Sequence, residues 1–88
     1  MVRKRIIVHG RVQGVFFRHT TRRTAESRGV SGWVRNNPDG SVEAAFEGAE
    51  ESVDAMVRFA REGPRGAMVA HVEVRDEEPE GLTAFRVT

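Results

Sequence analysis

The stretch Gly10-Arg-Val-Gln-Gly-Val-Phe-Phe-Arg18 combines residue types that suit the binding of an anion. Gly10 and Gly14 allow backbone angles and close approaches that other residues resist. If a helix begins near Phe17, its first N–H groups lack partners within the helix, and its dipole adds partial positive charge there. Successive N–H groups can form a nest around phosphate oxygens, and Arg18 adds a planar guanidinium at the same end. The stretch therefore predicts a phosphate-binding loop.

Two better-known phosphate loops are excluded by the residues present. The Gly-Lys-Ser/Thr ending of a nucleotide P-loop is missing, and the chain has no cysteine that could act as a phosphatase nucleophile. Local chemistry alone leaves a second interpretation open, because a glycine-containing turn between strand and helix with a surface arginine would show the same residues.

The composition predicts one small domain, residues 1–88, in the cytoplasm. Hydrophobic residues make up 39% of the 88, enough for one modest core, and the lack of cysteine suits a reducing compartment. A net charge of +1 gives no strong attraction to nucleic acid or to membranes. No apolar run approaches the roughly 20 residues of a membrane span, and the N-terminus does not resemble a signal peptide.

Hydrophobic periodicity predicts the elements that must position the loop. Val53, Met56, Val57 and Ala60 follow the helical spacing i, i+3, i+4, i+7, and Gly63-Pro64 ends that helix. The predicted elements are a strand over 5–9, a helix over 17–28, strands over 30–37 and 41–47, a helix over 50–62, and strands over 69–74 and 85–87, with a polar loop over 76–81. The order βαββαβ, with a terminal strand added, predicts a ferredoxin-like α/β (α+β) sandwich. Its two helices lie on one face of a mixed, mostly antiparallel sheet.

Two motifs give the chain a resemblance to a known family. Gly10-Arg-Val-Gln-Gly-Val-Phe-Phe-Arg18 resembles the first signature of the acylphosphatases, and Gly32-Trp-Val-Arg-Asn36, continuing through Gly40-Ser-Val42 to Gly48, resembles the second. The motifs occur in the family's order and at a compatible separation, and the chain has the length of its single-domain members. Asn37 stands where a threonine is frequent, and the C-terminal Thr88 replaces a frequent aromatic residue.

The resemblance implies an enzyme that hydrolyses the carboxyl-phosphate bond of acyl phosphates to a carboxylate and inorganic phosphate. It implies that Arg18 and Asn36 are the catalytic residues. It also implies that the backbone of the first signature forms the phosphate cradle, here Arg11, Val12, Gln13, Gly14, Val15, Phe16 and Phe17. The expected partner is a small-molecule acyl phosphate, with no metal, no cofactor and no nucleic acid, and we expect a monomer.

The chemistry of an acyl phosphate suits these residues on independent grounds. The leaving carboxylate has a conjugate acid with a pKa near 4, so it needs no general acid, and the two motifs offer none. Arg18 and the loop N–H groups can match the charge on the phosphoryl oxygens. The Asn36 amide can orient a water for attack on phosphorus, but it is not basic, so a phosphate oxygen accepts the proton in this hypothesis.

Other polar residues are given structural interpretations. His9, His19 and His71 lack the spacing of metal ligands and are predicted on the surface or on edge strands, and Trp33 is predicted to pack in the core or on the sheet surface. Gln13 is expected to face solvent or to brace the loop. The runs Arg3-Lys4-Arg5 and Arg22-Arg23 are expected on solvated faces.

Two non-enzymatic functions remain as alternatives. An RNA-binding module shares the βαββαβ order but needs exposed aromatic residues on its central strands, where this chain offers Phe46 on the apolar side of its strand. A non-catalytic phosphate-binding or regulatory domain would keep the loop over 10–18 and would have no need of Asn36.

Overall fold

A computed structural model describes residues 1–88, which form five strands and two helices in the predicted order. The two helices, α1 (Phe17–Ser27) and α2 (Glu50–Glu62), begin and end within one residue of their predicted bounds, because a glycine with positive φ, Gly29 or Gly63, follows each of them. The elements are β1 (Val2–Arg11), α1 (Phe17–Ser27), β2 (Ser31–Asn36), β3 (Val42–Gly48), α2 (Glu50–Glu62), β4 (Met68–Glu77) and β5 (Phe85–Val87).

The five strands form one mixed sheet in the order β4-β1-β3-β2-β5. All neighbouring strands are antiparallel except β2 and β5, which are parallel. With two helices packed on this sheet, the predicted ferredoxin-like architecture is confirmed. In the register, Val42 pairs with Val8 on one side and with Asn36 on the other. The end of β1 and the end of β2 therefore lie at the same edge of the sheet.

The hydrophobic core lies between the helices and one face of the sheet. Phe17, at the first position of α1, is 3% exposed, so its burial fixes where the helix begins on the sheet. Fifteen buried side chains form the core cluster: Ile6, Val8, Val12, Phe17, Ala25, Val30, Val34, Val42, Ala44, Phe46, Val53, Met56, Val57, Ala60 and Phe85.

The opposite face of the sheet, which we call the open face, is covered by ion pairs. The prediction that Arg3 lies on a solvated face is wrong. Its side chain is buried, with Nη1 2.6 Å from Glu47 and Nε 2.8 Å from Glu77. Burial of Glu47 depends on Arg3 and on the backbone N–H groups of residues 80–82, which all donate to its carboxylate. The central strand β3 is therefore buried on both faces rather than on one.

The prediction of a loop over 76–81 is wrong for its first two residues. Asp76 and Glu77 belong to β4, where they pair with Lys4 and Arg3 of β1. An ion pair joins each of these two residues to its cross-strand neighbour. The strand therefore continues through residue types that are typical of loops.

The histidines of the sheet, Trp33 and the two helices agree with what the sequence predicts for them. His9 lies 2.7 Å from Glu73 and stacks on His71 of the edge strand, and no His, Asp or Glu cluster is arranged to hold a metal ion. Trp33 lies on the sheet surface, where the guanidinium carbons of Arg5 and Arg35 are 5.4 and 4.9 Å from the centroid of its ring. Neither helix has the length and apolar composition that crossing a membrane would need.

Candidate active site

The loop between β1 and α1 has an unusual backbone conformation. Residues 13–16 form consecutive bends, with a φ of 74° at Gly14 and of 59° at Phe16. Phe16 is the only residue other than glycine with a positive φ, a conformation that costs an aromatic residue about 1–2 kcal/mol. Left-handed residues interspersed in this way are typical of anion-binding nests. The strain is therefore concentrated in the segment for which the sequence predicts anion binding.

The N–H groups of this segment are not used by the protein. From Gln13 to His19, no backbone N–H donates to a protein acceptor, and the first bond of α1 runs from the Thr20 N–H to the Phe16 carbonyl. Helix α1 also has no side-chain cap and no acidic residue in its first turn. The positive end of the helix is therefore left without the capping groups that usually satisfy it.

Gly10, the first glycine of the motif, has a structural function. The register of β1 with β4 shifts between His9 and Gly10, and a Cβ at Gly10 would collide with the backbone of Met68 and Ala70. Gly14 has open space where its Cβ would be. Gly10 thus lets β4 approach closely, whereas Gly14 supplies a positive φ inside the loop.

A surface cavity of about 410 Å³ adjoins this segment. It brings together the two residues that the sequence predicts as catalytic, Arg18 from α1 and Asn36 from the end of β2. Residues from β5 and from the second turn of α1 complete the wall. The lining residues are Val12, Gly14, Phe16, Phe17, Arg18, His19, Arg22, Asn36 and Val87.

Arg18 is held at the cavity without an Asp or Glu partner. Its Nη1 donates to the main-chain oxygen of Thr88 at 3.3 Å, and no Asp or Glu lies within ion-pair distance. The Thr88 N–H in turn donates to the Val34 carbonyl, which ties this end of the chain to β2. The guanidinium keeps most of its donors and its full positive charge for a ligand.

Asn36 and Asn37 are neighbours with different surroundings. The Asn37 amide donates to Ser41 Oγ and to Glu43, both at 3.1 Å, and so stabilises the β2–β3 hairpin. The Asn36 side chain lines the cavity and takes part in no hydrogen bond within the protein. Of the two amides, only that of Asn36 is free to contact a ligand or a water.

Gln13 joins the loop to the hairpin that carries Asn36. Its Nε2 donates to the main-chain oxygens of Asn37 and Ser41, at 2.8 and 2.9 Å. It therefore braces the loop, which is one of the two alternatives that the sequence leaves open. Because these bonds cross from one motif to the other, Gln13 fixes the distance between the cradle and Asn36.

The predicted cradle residues occupy different positions. Val12, Gly14, Phe16 and Phe17 line the cavity, whereas Gln13 faces the hairpin. Arg11 is exposed at the end of β1, and Val15 packs against the core. Of Gln13, Arg11 and Val15, only the backbone could therefore belong to a cradle.

Sequence reasoning missed Arg22 and Val87 as cavity residues, and it predicted His19 on the surface, where the structure has it exposed at the cavity. The expectation that Arg22 lies on a solvated face is wrong, because it is partly buried in the cavity wall, whereas Arg23 is exposed as expected. The spacing i, i+4 from Arg18 was an available signal, since such residues share a helix face. No signal pointed to Val87, because pairing of β5 with β2 is a long-range feature.

The cavity wall has no acidic residue. It carries two guanidinium groups and no Asp or Glu, whereas two other cavities of the chain are lined by acidic residues as well as basic ones. An unneutralised pair of guanidinium groups beside a helix N-terminus favours an anionic ligand. It could bind a phosphoryl group, and the free amide of Asn36 could orient a neighbouring water.

Comparison with known proteins assigns the family. The family model described as Acylphosphatase matches residues 4–87. A protein of Haloarcula marismortui named Acylphosphatase is 54% identical over 97% of this chain and 93% of its own. One of Thermococcus kodakarensis, also named Acylphosphatase, is 54% identical over 98% of this chain and 94% of its own. The crystal structure of acylphosphatase from Bacillus subtilis superimposes with a TM-score of 0.96 at 37% identity, covering 100% of this chain and 99% of that one. The chain belongs to the acylphosphatase family.

Proposed function

We propose that the cavity is the active site of a hydrolase that cleaves acyl phosphates to a carboxylate and inorganic phosphate. The observation that carries the proposal is the meeting of Arg18, the unpaired N–H groups of the loop and the free Asn36 amide at one cavity without acidic residues. Membership of the acylphosphatase family, whose relatives bear that name, supports the same activity.

Arg18 and the loop backbone bind the phosphoryl group. The cradle comprises the backbone of residues 11–17, and the guanidinium of Arg18 adds charge-assisted hydrogen bonds. These donors are in place before the substrate arrives, so little reorganisation is needed as charge develops in the transition state. Strain at Phe16 is consistent with this role, because strained backbone is often found where a ligand must be held.

Asn36 orients the attacking water. The water oxygen forms a bond to phosphorus as the bond between phosphorus and the carboxyl oxygen breaks, and the electron pair of that bond leaves with the carboxylate. One proton of the water passes to a phosphoryl oxygen, since an amide cannot accept it. The leaving carboxylate is stable without protonation at neutral pH, so the mechanism assigns no step to a general acid, a metal ion or a cofactor.

We also infer that residues 1–88 form a single catalytic domain that acts as a cytoplasmic monomer on a small molecule. One continuous core cluster and the absence of cysteine support this proposal. RNA binding is disfavoured because Phe46 is buried against Phe85 in the core, and the sheet surface presents carboxylates beside its arginines.

The matched asparagines test the assignment of Asn36. We expect wild-type protein to hydrolyse benzoyl phosphate with or without a metal chelator. Replacement Asn36→Ala should lower kcat/KM at least about 100-fold, as loss of one oriented polar group at an active site does. Asn37→Ala should stay within about threefold of wild type, because it removes hydrogen bonds outside the cavity worth about 1 kcal/mol each. Equal rates for Asn36→Ala and wild type would refute the role of Asn36.

Hydrolysis in ¹⁸O-labelled water tests where the water attacks. Attack on phosphorus places the label in inorganic phosphate, whereas attack on the carbonyl carbon places it in benzoate. Label in benzoate would refute the mechanism even if the enzyme is active. Phosphate binding without any hydrolysis would favour the regulatory alternative.

A further inference from the structure

Arg22 is a second guanidinium in the cavity and has no task in the proposed reaction. It lies four residues after Arg18 on α1, on the same helix face and about 6 Å further along the axis. The loop N–H groups and Arg18 lie at the helix N-terminus, where the phosphoryl group would bind. Arg22 therefore lies one helical turn beyond the expected position of the phosphoryl group, beside the part of the cavity that remains for the acyl moiety.

The surroundings of Arg22 do not resemble those of a solvated surface charge. The residue is partly buried, and its Nε atom is inaccessible to solvent without a hydrogen-bond partner in the protein. No carboxylate lies within ion-pair distance, and no acidic residue lines the cavity. Arg23, the next residue, is exposed and does not line the cavity. The guanidinium of Arg22 makes no hydrogen bond or ion pair within the protein, so its outer nitrogens keep their donors for an anionic ligand.

We infer that Arg22 is a specificity-determining residue that binds a second anionic group, a carboxylate or a phosphate, on the acyl part of the substrate. The inference rests on the proposed function, since it assumes that the first anionic group is the phosphoryl group held by Arg18 and the loop. It names a substrate class, acyl phosphates whose acyl part carries a further negative charge. A guanidinium suits this task because it presents a planar fork to either anion.

Benzoyl phosphate and 4-carboxybenzoyl phosphate form a matched pair of probes. They differ only in a carboxylate at the end of the ring remote from the phosphoryl group. The measured quantity is the ratio of kcat/KM for the carboxylated substrate to that for the plain one. Because this ratio is compared between enzymes, the intrinsic reactivity of each substrate cancels.

We expect Arg22→Gln to lower the ratio about tenfold relative to wild type, equivalent to about 1.4 kcal/mol, mainly through a higher KM for the carboxylated substrate. Arg23→Gln removes the same charge from the same helix outside the cavity and should leave the ratio unchanged. Arg22→Lys keeps the charge without the fork and should give an intermediate ratio. This variant also provides the test if Arg22→Gln does not fold.

Three results would overturn the inference. An unchanged ratio in folded Arg22→Gln would show that Arg22 does not contact the acyl part. An equal fall for both substrates would assign Arg22 to the phosphoryl group instead. An equal fall of the ratio in Arg22→Gln and Arg23→Gln would indicate only a diffuse charge effect. If wild-type protein hydrolyses neither substrate, the proposed function itself fails, which is distinguishable from all three.

The source of the second anion is separated by a further probe. 4-Phosphonobenzoyl phosphate replaces the ring carboxylate by a more highly charged group of phosphate type. A larger dependence on Arg22 with this probe than with the carboxylate would assign the subsite to phosphorylated acyl groups, and a smaller one would assign it to dicarboxylic acids. Independence from Arg22 with both probes would overturn the inference.

Discussion

The arginines of the open face and those of the cavity differ in their partners rather than in their type. Arg3 and Arg5 each lie within ion-pair distance of two or more Asp or Glu side chains, whereas no Asp or Glu lies within ion-pair distance of Arg18 or Arg22. The first pair is neutralised by the protein and holds the sheet together. The second pair keeps its charge for a ligand. What an arginine does in this chain is therefore decided by the location of its acidic neighbours.

The two regions are joined through the β2–β3 hairpin. Glu43 of the open face accepts hydrogen bonds from Arg35 and Asn37, and Gln13 of the loop donates to the backbone of the same hairpin. The open face thus supports the strand that ends in Asn36. It contributes to the site only by positioning, whereas the cavity contributes the groups that would touch the substrate.

Removing Arg3 should have the largest effect and should act on stability. Arg3→Ala leaves Glu47 charged and buried without its guanidinium, which we expect to destabilise the fold by about 3–5 kcal/mol in urea unfolding. Lys4→Ala is the matched control, because solvent screens its ion pair with the exposed Asp76, so its loss should hardly change stability. Similar losses for both variants would contradict the structural role assigned to Arg3.

Removing Arg18 should lower activity and leave stability nearly unchanged, the opposite of removing Arg3. We expect Arg18→Ala to lower kcat/KM for benzoyl phosphate at least about 100-fold, equivalent to about 2.7 kcal/mol on the barrier, while unfolding stays close to wild type. Arg23→Ala on the same helix is the control for loss of charge. If Arg18→Ala lost stability and kept its activity, the contrast between the two regions would be reversed.

The carboxylates of the open face should make the protein less stable at acidic pH. Burial alone would raise the pKa of the Glu47 carboxyl, but hydrogen bonds from the Glu80 backbone, from Arg3 and from the backbone of residues 81–82 lower it below its ordinary value. Because the folded state binds the proton more weakly, this stabilisation is present above the unfolded pKa near 4.5 and is lost as pH falls through the folded value.

Glu47→Gln tests this pH dependence. We expect wild-type protein to lose stability through this group on acidification below pH 5, measured by urea unfolding at a series of pH values. The variant should be less stable at pH 7 and show a shallower decline in acid. A parallel decline in both proteins would assign the acid sensitivity to other carboxyls.

Gln13→Ala should have the smallest effect and should act on both regions together. Loss of its two bonds to the hairpin should lower kcat/KM about tenfold, because the cradle moves relative to Asn36, and should cost about 1 kcal/mol of stability. Gln13→Met keeps the approximate size of the side chain and removes the donors without adding charge, so it should behave alike. Unchanged kcat/KM in both variants would show that the bridge is not needed for catalysis.

Much of the fold and the loop could be predicted from local patterns. The apolar spacing that predicts α2 lies within one short stretch of the sequence. The glycines and Arg18 that predict the loop lie within another. The buried state of Arg3 could not be predicted, because its partner Glu47 is 44 residues away and meets it only through the pairing of β1 with β3. Val87 was missed for a similar reason, since it reaches the cavity wall from a strand at the far end of the chain, whereas the i, i+4 spacing of Arg22 from Arg18 was a local signal.

Titration of wild-type protein with inorganic phosphate, followed by amide chemical shifts, tests the central claim most directly. Phosphate is the product and an analogue of the phosphoryl group. The account predicts the largest saturable shifts at the amides of residues 13–19, a smaller one at the Asn36 side chain, and none beyond the background at Arg3 or Glu47. Saturable shifts confined to the open face, or none at the loop at millimolar phosphate, would contradict it.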